Sequence, residues 1–379
     1  MAISIPAMRP KKRNQFMKHK IFKSLFAFIL ICSIFSLNLF SVGAVYQKYL
    51  DANGIEITKT KYVTTVEQNN VIRRTINESS MKSLKNSLSK QALSQHEQNI
   101  EIMKTLGFEE KTIEGMTTES IDQLFEDVVS LETQTVYMIV KEDGSTSIIG
   151  EDECLAATEA YNAAVSTAAT TSSDNDGWGN WTDENGALRM TISCAYIDPA
   201  SMNGQKGWYY FHTWYEWLIV PNYRLTDGMA IAVPGCSWDT WGAYDAYYSS
   251  MYYNATDING NNASYDATPK TTDDLTITPD TGVYYSWKMP EDGSNTITYI
   301  QFYIHARGQM LYPEQSMGVT AYISYVHTYA WLSINPTLEA NLGWDNNGLT
   351  GGIYLKLNPT IGLRANEFHY NLHFQYNPN

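Results

Sequence analysis

From Trp208 to Trp217 the chain reads Trp-Tyr-Tyr-Phe-His-Thr-Trp-Tyr-Glu-Trp. Successive side chains of a β-strand point to opposite faces, so a strand covered on one side alternates apolar with polar residues. This segment is aromatic on both faces and needs cover on both. One solution is burial between sheets or under a long loop such as residues 254–281. The other is an open platform, because flat ring faces stack on the apolar faces of sugar rings while nearby Asn, Asp and Tyr groups take the hydroxyls. The platform reading makes Trp208, Trp214 and Trp217 ligand-binding residues. Trp238 and Trp241 join them from a second aromatic cluster that also holds Tyr244, Tyr247, Tyr248, Tyr252 and Tyr253, and that cluster is expected as a long loop or edge rather than a core strand.

The period of two recurs beyond residue 178. Near the C-terminus Phe368, Tyr370, Leu372, Phe374 and Tyr376 alternate with polar residues. Comparable strands are expected at 187–197, 207–220, 227–233, 282–288, 296–306, 318–334 and 352–358, separated by Asp, Asn, Gly and Pro clusters. All ten tryptophans lie from Trp178 onward. Residues 178–379 are therefore expected to form an aromatic-rich antiparallel β-sandwich, jelly-roll-like, with a closed barrel as the second choice.

The preceding stretch has another character. From Asn77 to Leu106, apolar Met81, Leu84, Leu88, Ile100 and Met103 recur at helix-like intervals, and Gly107 stands where a left-handed cap belongs. Thr117 or Thr118 can cap a second helix through Ile121, Leu124, Phe125 and Val128, the pair packing as a helical hairpin. Thr135–Val140 and Ser145–Ile149 flank Asp143-Gly144 as a short β-hairpin, and Glu151–Val165 reads as a further helix. Residues 166–177, small and polar, form the expected linker. The predicted class is α+β: a helical N-terminal region over 45–165, then the sandwich.

Before residue 45, Lys18, Lys20 and Lys23 precede an apolar run from Leu25 to Phe40 that ends in Val42-Gly43-Ala44. This is the pattern of a cleaved signal peptide over 1–44, with a membrane span as its rival; residues 1–16 read as an N-terminal extension that should carry no fold, and cleavage would leave no stable membrane span. Cys32 lies inside the apolar run rather than at its end, so lipidation is not expected. Residues 1–44 hold seven Lys or Arg and no Asp or Glu; removing them takes the balance from 26 against 40 to 19 against 40, a net charge of −21. Such a surface repels phosphate backbones, and no nucleic-acid partner is expected. Three cysteines follow, Cys154, Cys194 and Cys236, of which Cys194 and Cys236 could close a loop.

Glu216 is the sole carboxylate in the aromatic strand, and Trp-Tyr-Glu-Trp-Leu-Ile-Val resembles the nucleophile strand of jelly-roll endoglycanases. That resemblance implies Glu216 as a catalytic carboxylate, with a second one ~5 to 5.5 Å away. Glu314, Glu339 and Glu367 are available, without a matching motif. The alternative is a Glu paired with an Arg, such as Arg224 or Arg307. Asp257, Asn259 and Asn261 alternate like the ligands of a calcium loop, but Gly260 is misplaced and position twelve is Thr268, so an Asx-rich turn competes with Ca2+ binding. His212, His305, His327, His369 and His373 fall in expected strands and are read as solvent-facing. No Gly-x-Ser-x-Gly, His-Glu-x-x-His, P-loop or Cys-x-x-Cys occurs. The segment Leu106-Gly107-Phe108-Glu109-Glu110 and the residues after it are similar to N-terminal regions of exported Gram-positive proteins, which implies a secreted bacterial setting and a pro-region or spacer.

The leading expectation is a secreted, noncatalytic protein that binds an extracellular glycan or another cell-surface component. A jelly-roll glycoside hydrolase using Glu216 is the alternative. A secreted toxin or pore former comes third, because no long Ser/Thr-rich amphipathic insertion hairpin is evident.

Overall fold

The computed structural model describes residues 47–141, 145–171, 186–221, 226–239, 247–257, 261–266, 276–278, 282–290, 295–314, 317–328, 336–345, 348–357 and 365–376. The expected signal peptide, most of the expected linker, Trp241 and Asn259 lie outside these residues.

The chain opens with strands β1 (Gln47–Leu50), β2 (Glu56–Lys59), β3 (Thr64–Gln68) and β4 (Val71–Ile76). Helices α1 (Glu78–Leu88), α2 (Gln95–Thr105), α3 (Glu110–Glu114) and α4 (Thr118–Phe125) follow, then β5 (Val128–Val140), β6 (Thr146–Ile149) and helix α5 (Glu151–Thr171). The remaining elements are β7 (Gly186–Ile197), β8 (Trp208–Ile219), β9 (Thr226–Ala232), β10 (Cys236–Trp238), β11 (Tyr247–Asp257), β12 (Asn262–Asp266), β13 (Thr276–Thr278), β14 (Gly282–Lys288), β15 (Asn295–Met310), β16 (Met317–Thr328), β17 (Pro336–Asp345), β18 (Gly348–Leu357) and β19 (Ala365–Tyr376).

The protein is thus mostly antiparallel β-sheet with a few helices. A twelve-stranded sheet runs β1-β2-β3-β4-β5-β7-β8-β15-β11-β12, with β6 on β5 and β10 on β15. A five-stranded sheet runs β13-β14-β9-β16-β19, and β17 pairs with β18 alone.

The front of the chain is not purely helical, since β1–β4 precede α1. These strands are short and largely uncovered, so they lack the apolar alternation that betrays a strand. Their turns are nonetheless specific: Asn69 and Asn70 both have positive φ (52° and 63°), the conformation a two-residue hairpin turn between β3 and β4 requires. The single helix expected over 77–106 is broken in two. Ser94 starts α2 with a capping box, its hydroxyl accepting from the Glu97 amide while the Glu97 carboxylate accepts from the Ser94 amide. Thr117 caps α4 as expected, and β5 pairs with β6.

Strand β5 also pairs with β7 from Val128–Ile197 to Val140–Gly186. The segment 166–177 therefore joins strands that are neighbours in one sheet. Gln47–Asn379 form one compact unit.

Two cores flank the large sheet. Between the sheets lie Leu188, Phe211, Tyr215, Trp217 and Phe302 against Met229, Ile231, Tyr285, Tyr325 and Phe374. On the opposite face, Tyr210, Trp214 and Tyr303 pack against the helices through Met81, Met103, Met116, Ile121 and Leu124. The double-faced aromatic strand is now accounted for: odd-numbered rings of β8 enter the sandwich and even-numbered rings lie beneath the helical layer. The aromatic segment 247–253 is likewise a strand, part of β11, paired with β15 along its length and with β12 only from Tyr252 on, while residues 240–246 of that cluster lie outside the described residues.

Candidate functional site

Helix α2 ends in a left-handed turn. Gly107 has φ +81°, its amide donates to the Lys104 carbonyl, and the Phe108 amide donates to Met103, a Schellman closure. This turn delivers Phe108 and Glu109 to the sheet, and α3 follows with Thr112 facing inward. Beneath them Arg189 of β7, Glu216 of β8 and Gln301 of β15 occupy one row of directly paired positions.

Glu216 is 1% exposed. Its Oε2 accepts from Arg189 Nε at 2.7 Å. Its Oε1 accepts from Arg189 Nη2 at 2.8 Å, from Thr112 Oγ1 at 2.8 Å and from Tyr299 OH at 2.6 Å. Arg189 also donates to the Glu109 carboxylate and, at 2.7 Å, to Thr112 Oγ1. The Gln301 amide donates to the Thr112 carbonyl at 3.3 Å. Burial opposes the Arg189 cation, but the Glu216 and Glu109 carboxylates outweigh it and hold the guanidinium pKa well above the usual arginine value. Burial, then the Glu216 charge, pushes the Tyr299 phenol up.

A cleft of about 290 Å³, counting open space at its mouth, lies here between Arg74, Phe108, Glu109, Thr135, Tyr137 and Arg189, and its inner end has room for about one water molecule. Its two carboxylates are held by one guanidinium. A glycosidase needs one carboxyl protonated for acid catalysis and the other presented to the sugar; Glu216 is instead a buried ion-pair member that fastens α3 to the sheet. Its partner is Arg189, whereas Arg307 pairs with Asp239 and Arg224 lies outside the described residues. The sequence signal for that partner was a single cation inside the otherwise uncharged strand 187–197, mirroring the single carboxylate of β8.

The other expected site residues scatter. Trp214 and Trp217 are fully buried and Trp238 is 5% exposed, so these three are core and offer no sugar platform. Trp208 is half-buried, with Gln205 accepting from its indole N–H and the Arg307 guanidinium 5.9 Å from its ring. Both carboxylate oxygens of Asp257 accept from Asn261, through its backbone amide and its side chain. No group of three or more His, Cys, Asp or Glu suited to a metal occurs among the described residues. Cys154, Cys194 and Cys236 are free, buried thiols, so the Cys194–Cys236 loop is not closed.

His212, His305 and His327 are fully buried rather than solvent-facing. His212 Nδ1 lies 2.7 Å from Tyr303 OH and 3.3 Å from His305 Nδ1. Burial, then the neighbouring His305, holds the His212 pKa well below the usual histidine value. His327 Nδ1 lies 2.9 Å from Asp227, whose carboxylate also accepts from Tyr325 OH, and Trp217 Nε1 donates to that hydroxyl at 2.6 Å. Only His373, hydrogen-bonded to Thr320, is exposed among the histidines whose side chains are described on expected strands.

A second candidate is the isolated β17–β18 pair. Its register sets Leu338 opposite Leu355, Ala340 opposite Ile353, Leu342 opposite Gly351 and Trp344 opposite Leu349. The alternate row sets Thr337 opposite Lys356, Glu339 opposite Tyr354, Asn341 opposite Gly352 and Asp345 opposite Gly348. By strand periodicity one face is apolar throughout and the other polar or glycine. An amphipathic hairpin is therefore present after all; it escaped notice because residues 336–345 were not expected to be a strand. Among the described residues it shares no β-ladder with either of the other sheets, although β18 approaches β16 and β9. Among the described residues no helix is long and apolar enough to cross a membrane, which leaves strands unaddressed.

No family model matches the chain. No curated protein matches it either. Among solved structures it is similar to one titled a pore forming protein (9% identity, 51% of this chain and 94% of that chain, TM-score 0.21). It is also similar to Clostridium perfringens delta-toxin (6% identity, 65% and 94%, TM-score 0.22) and to the membrane-inserted form of the Clostridium perfringens NetB toxin (10% identity, 54% and 96%, TM-score 0.20). Superpositions this loose leave the architecture to be defined by its own sheets.

Proposed function

We propose that this is a secreted protein that perforates lipid bilayers by inserting the β17–β18 hairpin as its contribution to an oligomeric β-barrel. The observation that carries the reading is the register of that hairpin. Each strand has 10 residues, and a tilted membrane-spanning strand needs ~9 to 11. Alternation of apolar with polar or glycine positions along two such strands is the sequence form of a barrel hairpin whose apolar row faces lipid. Trp344 stands on the apolar row one residue from the tip strand end, where aromatic residues gather at a membrane interface. Among the described residues the hairpin shares no β-ladder with β16 or β9, so no strand pairing has to be broken before insertion. Its partner on this reading is a bilayer, and the extracellular setting follows the export pattern at residues 18–44.

The experiment is dye release from phosphatidylcholine vesicles, with and without cholesterol, by the secreted protein. Release is expected, and Leu342→Arg should suppress it, because a cation on the lipid face near the midplane costs about 2 to 4 kcal/mol. The thermal midpoint of the variant is measured alongside, so that loss of release is not loss of fold. No release from either membrane, or undiminished release by Leu342→Arg, refutes the reading.

A further inference from the structure

On the pore-forming reading, the polar row of the β17–β18 hairpin lines the channel. We propose that the channel selects cations and that Asp345 is the residue that sets the preference. Three charged residues lie on the polar row: Glu339 and Asp345 on β17, and Lys356 on β18. Glu339 is opposite Tyr354, so Lys356 is its diagonal neighbour on the same face. Diagonal neighbours of an antiparallel pair are about 7 to 8 Å apart, and opposite charges at that spacing offset one another. Asp345 is opposite Gly348, the last pair before the turn. Lys356 is eight residues further along β18, roughly 26 Å away at strand rise, several screening lengths from Asp345. The polar row of each hairpin therefore carries a net charge of one negative, with Asp345 at the tip end.

A closed membrane barrel has at least ~8 strands, so at least about four copies of a two-stranded hairpin are needed. Equivalent hairpins place Asp345 at one height, and the result is a ring of carboxylates at the mouth. Such a ring concentrates cations and repels anions. The apolar row carries no charge that could oppose it.

The test uses the full secreted protein in planar phosphatidylcholine bilayers under a KCl gradient. Reversal potentials should show K+ permeating several-fold more readily than Cl−. Asp345→Asn, which keeps the shape of the turn residue, should bring the ratio near unity, Asp345→Lys should invert it, and Asp345→Glu should keep it. Channels that are unselective or anion-selective in the parent, or that stay cation-selective in both Asp345→Asn and Asp345→Lys, overturn the inference while leaving the pore-forming reading intact. If the parent forms no channels, the reading falls and the inference with it.

Discussion

Glu216 and Arg189 show what a buried charge can mean when its partners are counted. Each is almost fully excluded from water, and the pair is satisfied by Thr112, Tyr299 and Glu109. Removing Arg189 leaves the Glu216 carboxylate buried without a counter-charge, and removing Glu216 leaves Arg189 only the part-exposed Glu109; breaking a buried pair costs about 3 to 5 kcal/mol, whereas replacing both members with apolar residues of similar volume is often far milder. Urea unfolding should therefore find Glu216→Gln strongly destabilised and Arg189→Met/Glu216→Leu less so than the sum of the single changes. Strict additivity would mean the residues act independently. The buried His212 responds to pH instead. The folded His212 pKa is depressed, so the unfolded chain takes up a proton near the ordinary histidine value of about 6.5 while the folded chain stays neutral. The stability associated with a neutral His212 is present above that pH and is lost as pH falls through it, at up to about 1.4 kcal/mol per pH unit for one proton. His212→Gln should flatten the slope of unfolding free energy against pH below 6.5; an unchanged slope would place the proton uptake elsewhere.

At the scale of elements, the legible ones were those marked by their own residues, a run of aromatic and β-branched side chains or a cap made of local atoms. Strands β7, β8, β14 and β19, the Thr117 cap and the β5–β6 hairpin follow from spacing within the segment itself. Strands β1–β4 were invisible because their faces are largely uncovered and their residues polar, so nothing in the alternation marks a buried side. The break between α1 and α2 was missed because the apolar period runs through it, although Ser94 and Glu97 held the signal of a new start. The site was half legible. Glu216 stood out as a lone carboxylate, but its partner depends on β7–β8 register and on a helix more than 70 residues earlier, neither of which is local. The tryptophans were misread for the same reason: ring count indicates that a strand needs cover, and only topology decides what provides it. The β17–β18 hairpin was legible in its alternation, and its strand partner was overlooked.

For the whole molecule, the decisive fact is that the helical front supplies the second cover of the aromatic strand. Strand β5 pairs with β7 along its length, and α1, α2 and α4 cover Tyr210, Trp214 and Tyr303. The change in composition near residue 178 therefore falls within one compact unit, between strands that pair in one sheet. Cleavage within 172–185, whose Ser, Asp, Asn and Gly suit a protease, should yield two pieces that remain together in size-exclusion chromatography under native conditions and separate only in denaturant. The fragment 178–379 made alone loses β5 as a sheet neighbour and uncovers the even-numbered rings of β8; burying one large aromatic ring is worth about 3 to 5 kcal/mol, and several are involved. It should be aggregated or should bind a hydrophobic dye strongly, and co-expression with 45–171 should restore a soluble complex. A soluble, cooperatively unfolding 178–379 fragment would show that the helices are dispensable, and that Trp214 has some other cover.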